Sequence, residues 1–284
     1  MRWKWHHLEE KIMQLLMLLS FGLIVLCLLL ILYTIVSKGL PSLSWAMISQ
    51  TPKGGFYLGK EGGILNAILG SLYLALGGTL IAFLFAFPLA LLLNVYLSRS
   101  WVADLVRLSL DILWGIPSIV YGAFGFTVMI FLGWRASLLG GILTLALLEF
   151  PIMARAMDEV IRRVPPDLPR AAYALGSTHL ETAFFVLTRQ ILPGLATAIL
   201  LAFGRGIGDA ASVLFTAGYT DRIPDSLFSP AASLPLAVFF QLGTPFPEVQ
   251  QRAYSAALIL TLIVLGISIS SRWLSHYLDR FSIQ

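Results

Sequence analysis

Two charged residues, Arg205 and Asp209, lie inside an apolar stretch, residues 193–215, that is long enough to cross a membrane. A charge at membrane depth costs about 3 kcal/mol, so such a residue usually faces a pathway or a partner. The guanidinium fork of Arg205 matches the oxygens of an oxyanion. The four-residue spacing predicts both groups on one face of a helix, where Asp209 can neutralise Arg205. The pair therefore indicates either an anion site on a transport path or a structural ion pair.

The composition indicates a membrane protein. Apolar residues make up 58% of the 284 residues and charged residues only 12%, whereas soluble domains carry about 25% charged residues. A spanning helix needs about 20 mostly apolar residues. Six stretches meet that requirement, at residues 12–36, 64–96, 105–132, 136–153, 193–215 and 254–274. The sequence therefore predicts an all-α membrane protein of about six transmembrane helices. The stretch at residues 64–96 is longer than one span needs, so its first part is expected to form a short interfacial helix that leads into the span.

The distribution of Lys and Arg predicts the orientation. With the N-terminus placed in the cytoplasm, twelve of these residues fall on the inner side and six on the outer side, and cytoplasmic loops carry the excess of positive charge. The first apolar run is too long for the apolar part of a signal peptide. We therefore expect a multi-pass plasma membrane protein with both termini in the cytoplasm. The positive charge is explained by topology, and no nucleic-acid partner is expected.

The inner loop, residues 154–192, contains a predicted amphipathic helix. Two prolines precede Asp167, which can cap the helix start, and Gly176 ends it. A second helix is predicted to begin near Ser177, with Glu181 spaced for a capping contact. One face of the first helix is apolar, with Leu168, Ala171, Ala172 and Leu175. Such a helix either inserts into a groove on another protein or lies on the membrane surface.

The remaining charged and small residues suggest structural roles. Glu149 is interpreted as a boundary residue at the end of the fourth span, with a proton or substrate role as the alternative. Arg107 and Asp111, four residues apart, are expected to pair. The small residues Gly204 and Gly208 indicate close helix packing.

Enzymatic machinery is not expected on this chain. The four histidines are scattered, so no metal site is predicted, and no cofactor is indicated. The sequence contains neither the phosphate-binding motif GxxxxGK[ST] nor a nucleophile constellation. Any ATPase that drives this protein must reside on another chain.

The inner loop resembles a motif of ABC importer permeases. Ala171, Ala172, Gly176 and Pro193 have the spacing of the EAA loop, whose short helix inserts into the ATPase subunit in that family. The sequence departs from the motif at Arg170, which stands in place of a Glu and reverses the charge.

Several further segments, in order along the chain, resemble the permeases of phosphate ABC importers. These are GGILNAILGSL at 62–72, GIPSIVYGAFG at 115–125, AAYALG at 171–176, and RGIGD at 205–209 followed by LFTA at 214–217. The LFTA segment and Leu234–Pro235 favour the PstA-type subunit. Asp209 replaces the usual Glu of the family, and Ala210 replaces the Thr that follows it.

The resemblance implies the type I ABC importer permease (MetI-like) fold. Residues 1–61 would hold the N-terminal tail, the first span and an outer loop, and residues 62–284 the permease core. The resemblance implies that this chain forms one half of a heterodimeric path for phosphate, with Arg205 and Asp209 on that path. The coupling contact with the ATPase would involve Arg170, Ala171, Ala172, Gly176 and Ser177. The implied partners are a PstC-type permease, two PstB-type ATPase subunits, a PstS-type phosphate-binding protein and membrane lipid.

Other functions remain open at this point. A permease for molybdate, tungstate or sulfate would share the EAA loop. A proton-coupled secondary transporter could use Asp209 and Glu149, although such transporters often show inverted repeats, and none is visible here.

Overall fold

The computed structural model describes residues 2–53, 61–98 and 100–278. Long helices dominate these residues, and a two-stranded antiparallel ladder joins Pro52–Lys53 (β1) to Glu61–Gly62 (β2). The helices are Arg2–Gly39 (α1), Trp45–Ser49 (α2), Leu65–Val95 (α3), Trp101–Gly115 (α4), Ser118–Phe131 (α5), Leu138–Arg162 (α6), Asp167–Ala174 (α7), His179–Glu181 (α8), Thr188–Ile207 (α9), Leu234–Leu242 (α10) and Pro247–Leu278 (α11). A 3-10 turn at Leu40–Ser42 follows α1, and a π-helical turn at Thr182–Leu187 joins α8 to α9.

Five helical segments are long and apolar enough to span a membrane, and α4 with α5 would form a sixth as one broken span. The prediction of about six spans is therefore confirmed. The apolar stretch expected at residues 105–132 is divided into two helices, because the chain bends by 98° between α4 and α5. Proline at position 117 disfavours helical backbone in the preceding residue, and Ile116 is extended with φ −71° and ψ 130°.

The core of the molecule is the contact between α3 and α6, with α9 packed against both. Gly77 and Gly78 allow close approach, since a Cβ at either position would crowd Ile142 or Leu145 of α6. The apolar window of α1 contributes no buried residue, so the first span lies at the periphery of the other helices. The helix α6 is therefore the central element against which the functional segments are placed.

Two further predicted boundaries are wrong. The second apolar stretch is one continuous helix, α3, and no separate interfacial helix leads into it within residues 64–96. The fifth span was expected to reach residue 215, but α9 ends at Ile207 and the chain continues in turns to Ala217. Three glycines within five residues, Gly204, Gly206 and Gly208, weaken the helix at that point.

Candidate functional site

Arg205 lies in the last turn of α9, and its side chain is exposed. A cation is favourable there because the free carbonyl groups of a helix end carry partial negative charge. Gly204 on one side of it lies nearest to Ile267 of α11, and Gly206 on the other side faces α6. Arg205 therefore projects from a helix end that is held by neighbours on two sides.

Asp209 lies beyond the end of α9, so the prediction that it shares a helical face with Arg205 is wrong. Its Oδ2 accepts a hydrogen bond from the backbone N–H of Ser212 at 2.8 Å. Within the described residues, Arg205 and Asp209 form no ion pair within 4.0 Å. Asp209 instead stabilises the turn that follows the helix, and it is half-buried.

Glu149 is not a boundary residue. It lies in the middle of α6 and is completely buried. Its Oε2 accepts a 2.7 Å hydrogen bond from the Thr79 hydroxyl of α3, whereas its Oε1 is buried and has no hydrogen-bond partner among the residues that the structure describes. A Cβ at Gly206 would overlap this Oε1, so the free carboxyl oxygen lies against the helix backbone next to Arg205.

A second buried carboxylate, Asp158, lies nearer the end of α6 and joins three helices. It accepts hydrogen bonds from Arg107 Nε at 3.0 Å, from Arg155 Nη1 at 3.0 Å and from Asn94 Nδ2 at 2.8 Å. Arg155 also pairs with Asp111 of α4 at 2.6 Å. The expected pair of Arg107 with Asp111 is wrong, because both residues find partners on α6 instead.

The predicted coupling segment forms α7, with Arg170 and Ala171 exposed and Ala172 buried. Arg170 contacts Asp167 at 3.4 Å, but both side chains are mostly exposed, so this pair adds little stability. Pro166 occupies the N-cap position, and Asp167 is the first helical residue.

The end of α7 and the start of α8 follow the predicted signals. Gly176 has φ +89°, the left-handed conformation that glycine favours after a helix. Ser177 is half-buried and follows it. The capping box is confirmed one residue later than the predicted start: the Thr178 hydroxyl accepts from Glu181 N–H, and Glu181 Oε2 accepts from Thr178 N–H.

Large apolar side chains around α7 and α8 are solvent-exposed. Leu175 is 88% exposed, Phe185 74% and Leu180 59%. Exposed apolar side chains of this kind suit contact with another protein and contact with the membrane surface alike. Both interpretations of this segment therefore stay open.

Metal ligands are not grouped in the part of the chain that the structure describes: no three His, Cys, Asp or Glu residues lie together as a candidate site. Sequence reasoning missed the fully buried positions of Glu149 and Asp158. One signal was available for Glu149: helix-forming residues continue after it, so it did not have to mark the end of the span.

The comparisons with known proteins agree with this architecture. The sequence profile of binding-protein-dependent transport system inner membrane components matches residues 86–283. The chain belongs to this family.

Similar members of the family are named as phosphate transport permeases. The chain is 35% identical to the phosphate transport system permease protein PstA of Yersinia pestis, over 85% of this chain and 81% of that protein. It is 33% identical to PstA of Haemophilus influenzae, over 96% and 95%. It is 30% identical to the probable ABC transporter permease protein YqgI of Bacillus subtilis, over 84% and 86%.

Solved structures confirm the fold. A chain of the MetNI methionine ABC transporter in an inward-facing conformation matches with a TM-score of 0.63 and 18% identity, covering 75% of this chain and 95% of that chain. An amino acid ABC transporter matches with a TM-score of 0.53 and 19% identity, covering 76% and 92%. This binding-protein-dependent inner membrane component thus has the MetI-like ABC importer permease fold. It is a multi-pass membrane protein that works with the other components of an ABC transporter.

Proposed function

We propose that this chain is a permease subunit of an ATP-driven phosphate importer and forms half of a heterodimeric translocation path. The observation that carries the proposal is the exposed Arg205, a fixed cation at the end of an apolar helix. The PstA permeases that it resembles over most of their length supply the substrate class. A guanidinium suits phosphate because it can donate two parallel hydrogen bonds to its oxygens.

Asp209 is proposed as the second residue of the path. It is held by the turn after α9 rather than by Arg205, so the guanidinium is available to an anion. A carboxylate at that point accepts a proton from an anion that carries one and repels an anion that carries none. Substituting Asp209→Asn should therefore reduce the preference for phosphate over sulfate in uptake.

Coupling to ATP hydrolysis is assigned to α7 and the residues after it. Arg170, Ala171, Ala172, Gly176 and Ser177 form the proposed contact with the ATPase subunit, and Leu175 supplies exposed apolar area beside them. Arg170 presents a positive charge, so its contact on the ATPase should be acidic or neutral rather than basic.

The proposed assembly contains this chain, a PstC-type permease, two PstB-type ATPase subunits and a PstS-type phosphate-binding protein in a lipid membrane. The excess of Lys and Arg in the inner loops supports an arrangement with both termini in the cytoplasm. In that orientation, α7 faces the ATPase subunits, and Thr216–Ala253 faces the binding protein.

The proposal is tested by ATP hydrolysis of the complex reconstituted in lipid with those partners. We expect binding protein loaded with phosphate to stimulate ATP hydrolysis. In Arg205→Ala this stimulation should fall at least about tenfold, because phosphate would lose a charged hydrogen bond worth about 1.5–3 kcal/mol. Arg272→Ala removes an exposed arginine of α11 and serves as the matched control.

Two other results would overturn parts of the proposal. Stimulation by molybdate, tungstate or sulfate in place of phosphate would keep the transporter class and reject the substrate. Failure of the chain to associate with any ATPase subunit would reject the coupling role of α7 and favour a secondary transporter.

A further inference from the structure

Glu149 is a buried acid without a local structural explanation. Its side chain is completely buried in the middle of α6, and its one hydrogen bond within the described residues comes from Thr79. A buried polar group is normally satisfied, yet Oε1 has no partner. Intramembrane acids of this kind are expensive and usually functional.

The surroundings of Glu149 include Asp209 and the backbone next to Arg205. Its Oε1 lies against Gly206, the residue that follows Arg205. Asp209 lies within electrostatic range of Glu149. The free oxygen is thus directed toward the end of α9, the same place at which the anion is proposed to bind.

Among the described residues, the other elements packed against α6 provide no cation that pairs with this carboxyl. The helix α3 contributes no charged side chain within Leu65–Val95, and Tyr121 of α5 donates its hydroxyl to the carbonyl of Leu113. Arg107 and Arg155 are held by Asp158, nine residues further along α6. Asp209 is therefore the charged side chain shown to act on Glu149, and the backbone beside Arg205 lies against its free oxygen.

Charge balance gives the two protonation states of Glu149 different effects. With a proton on Glu149, the charges of Arg205 and Asp209 cancel, and a monovalent anion is the only net charge at the site. With Glu149 ionised, the site carries a net negative charge that repels the anion. A low-dielectric surrounding makes this repulsion stronger than it would be in water.

We propose that Glu149 is a specificity-determining residue that admits the anion to Arg205 when protonated and excludes it when ionised. This inference rests on the proposed function and extends it to the proton dependence of transport. Thr79 holds one oxygen of Glu149 in place, so the other oxygen stays directed at Gly206 and the end of α9.

The test is uptake of radiolabelled phosphate into vesicles that contain the complete importer, measured from about pH 5.5 to about pH 8.5. Each value is divided by the wild-type value at the same pH, so that titration of phosphate and of the binding protein cancels. Glu149→Gln has the shape of the protonated acid and cannot ionise. We expect the ratio of Glu149→Gln uptake to wild-type uptake to be near one at acidic pH. Above the pH at which Glu149 loses its proton in the wild type, this ratio should rise about tenfold per pH unit.

Two variants make the result decisive. Thr79→Val removes the hydroxyl that donates to Glu149, which disfavours the ionised form, so its ratio should also rise with pH, but less than that of Glu149→Gln. Glu159→Gln makes the same chemical change at an exposed site on α6, and its ratio should stay flat. If Glu149→Gln assembles poorly, the Thr79→Val profile decides the question.

A flat ratio for both Glu149→Gln and Thr79→Val, with active wild-type uptake, would overturn the inference and leave the proposed function intact. Absence of phosphate uptake by the assembled wild-type complex would overturn the proposed function and this inference with it.

Discussion

The helix α6 carries two completely buried carboxylates in very different surroundings. Asp158 receives hydrogen bonds from Arg107, Arg155 and Asn94. Glu149, nine residues earlier, receives one from Thr79 and leaves Oε1 unpaired. Both side chains have no solvent exposure, so burial does not distinguish them, but their partners do.

The number of fixed partners distinguishes a buried charge that stabilises the fold from one that serves transport. A buried charge with several fixed partners stabilises the fold only as long as all of them are present, and removing one leaves the others uncompensated. Asp158 is such a charge, since it joins α3, α4 and α6. A buried acid with one hydrogen-bond partner links few elements of the fold, and the free energy of burying it depends on whether it is protonated or ionised. The comparison therefore separates stability, which should depend on Asp158, from transport, which should depend on Glu149.

The largest effect is expected for Asp158→Asn. The substitution keeps the shape of the side chain but leaves Arg107, whose side chain is 12% exposed, facing no buried carboxylate. We expect a loss of about 3 kcal/mol in stability, measured as the thermal unfolding of the purified protein in detergent. Asp104→Asn removes an 82% exposed partner of the same arginine and should unfold like the wild type. Equal changes in thermal stability for the two substitutions would show that the contacts of Asp158 do not stabilise the packing of α3, α4 and α6.

An intermediate effect is expected for Gly206→Ala. The new methyl group would overlap Oε1 of Glu149, and forcing an extra group into a packed interior costs about 1–3 kcal/mol. Gly204→Ala is the matched control, because its methyl group would meet only Ile267 Cγ2 at 3.8 Å. Thermal unfolding of both variants, and of Gly206→Ala combined with Glu149→Ala, is the measurement. The double variant should recover stability relative to the sum of the single changes, and strict additivity would contradict the contact.

The smallest effect on stability is expected for Glu149→Gln. The amide oxygen still accepts the hydrogen bond from Thr79, and only one buried oxygen changes its chemistry, so we expect a change below about 1 kcal/mol. The same unfolding assay measures it beside Asp158→Asn. A loss as large as that of Asp158→Asn would mean that Glu149 is ionised and paired in the fold, which would remove the distinction between the two acids.

Much of the architecture was predictable from the sequence, because membrane spans are set by long apolar runs. The end of α7 and the start of α8 were also predictable, because Gly176, Thr178 and Glu181 act through local hydrogen bonds and backbone conformation. The start of α7 was not, since Asp167, predicted as its cap, is its first helical residue. The bend between α4 and α5 carried a visible signal in Pro117, but its size depends on what each half packs against.

The site residues were less predictable, since their partners are distant in sequence. A spacing of four residues predicted pairs for Arg107 with Asp111 and for Arg205 with Asp209, and both predictions are wrong. In the first case α6 offers better-placed partners, and in the second the helix ends before Asp209. The spacing of residues along one helix does not show which partners another helix offers. For the same reason the contacts of Glu149 with Thr79 of α3 and Gly206 of α9 were not visible, and Glu149 was placed at a boundary. The proposed path and coupling roles stay predictions until the experiments above are done.

The bend at Pro117 has a mechanical consequence. Ion pairs of Arg107 and Asp111 fasten α4 to α6, whereas a sharp turn, closed by the hydrogen bond from Ile116 N–H to the Leu113 carbonyl, joins α4 to α5. A helix broken in this way does not transmit axial force as a continuous rod does. When α6 tilts, the ion pairs should carry α4 with it, and the packing of Gly125 and Met129 against Thr144 and Gly140 should carry α5 with it, so that the angle between α4 and α5 can change only at the proline.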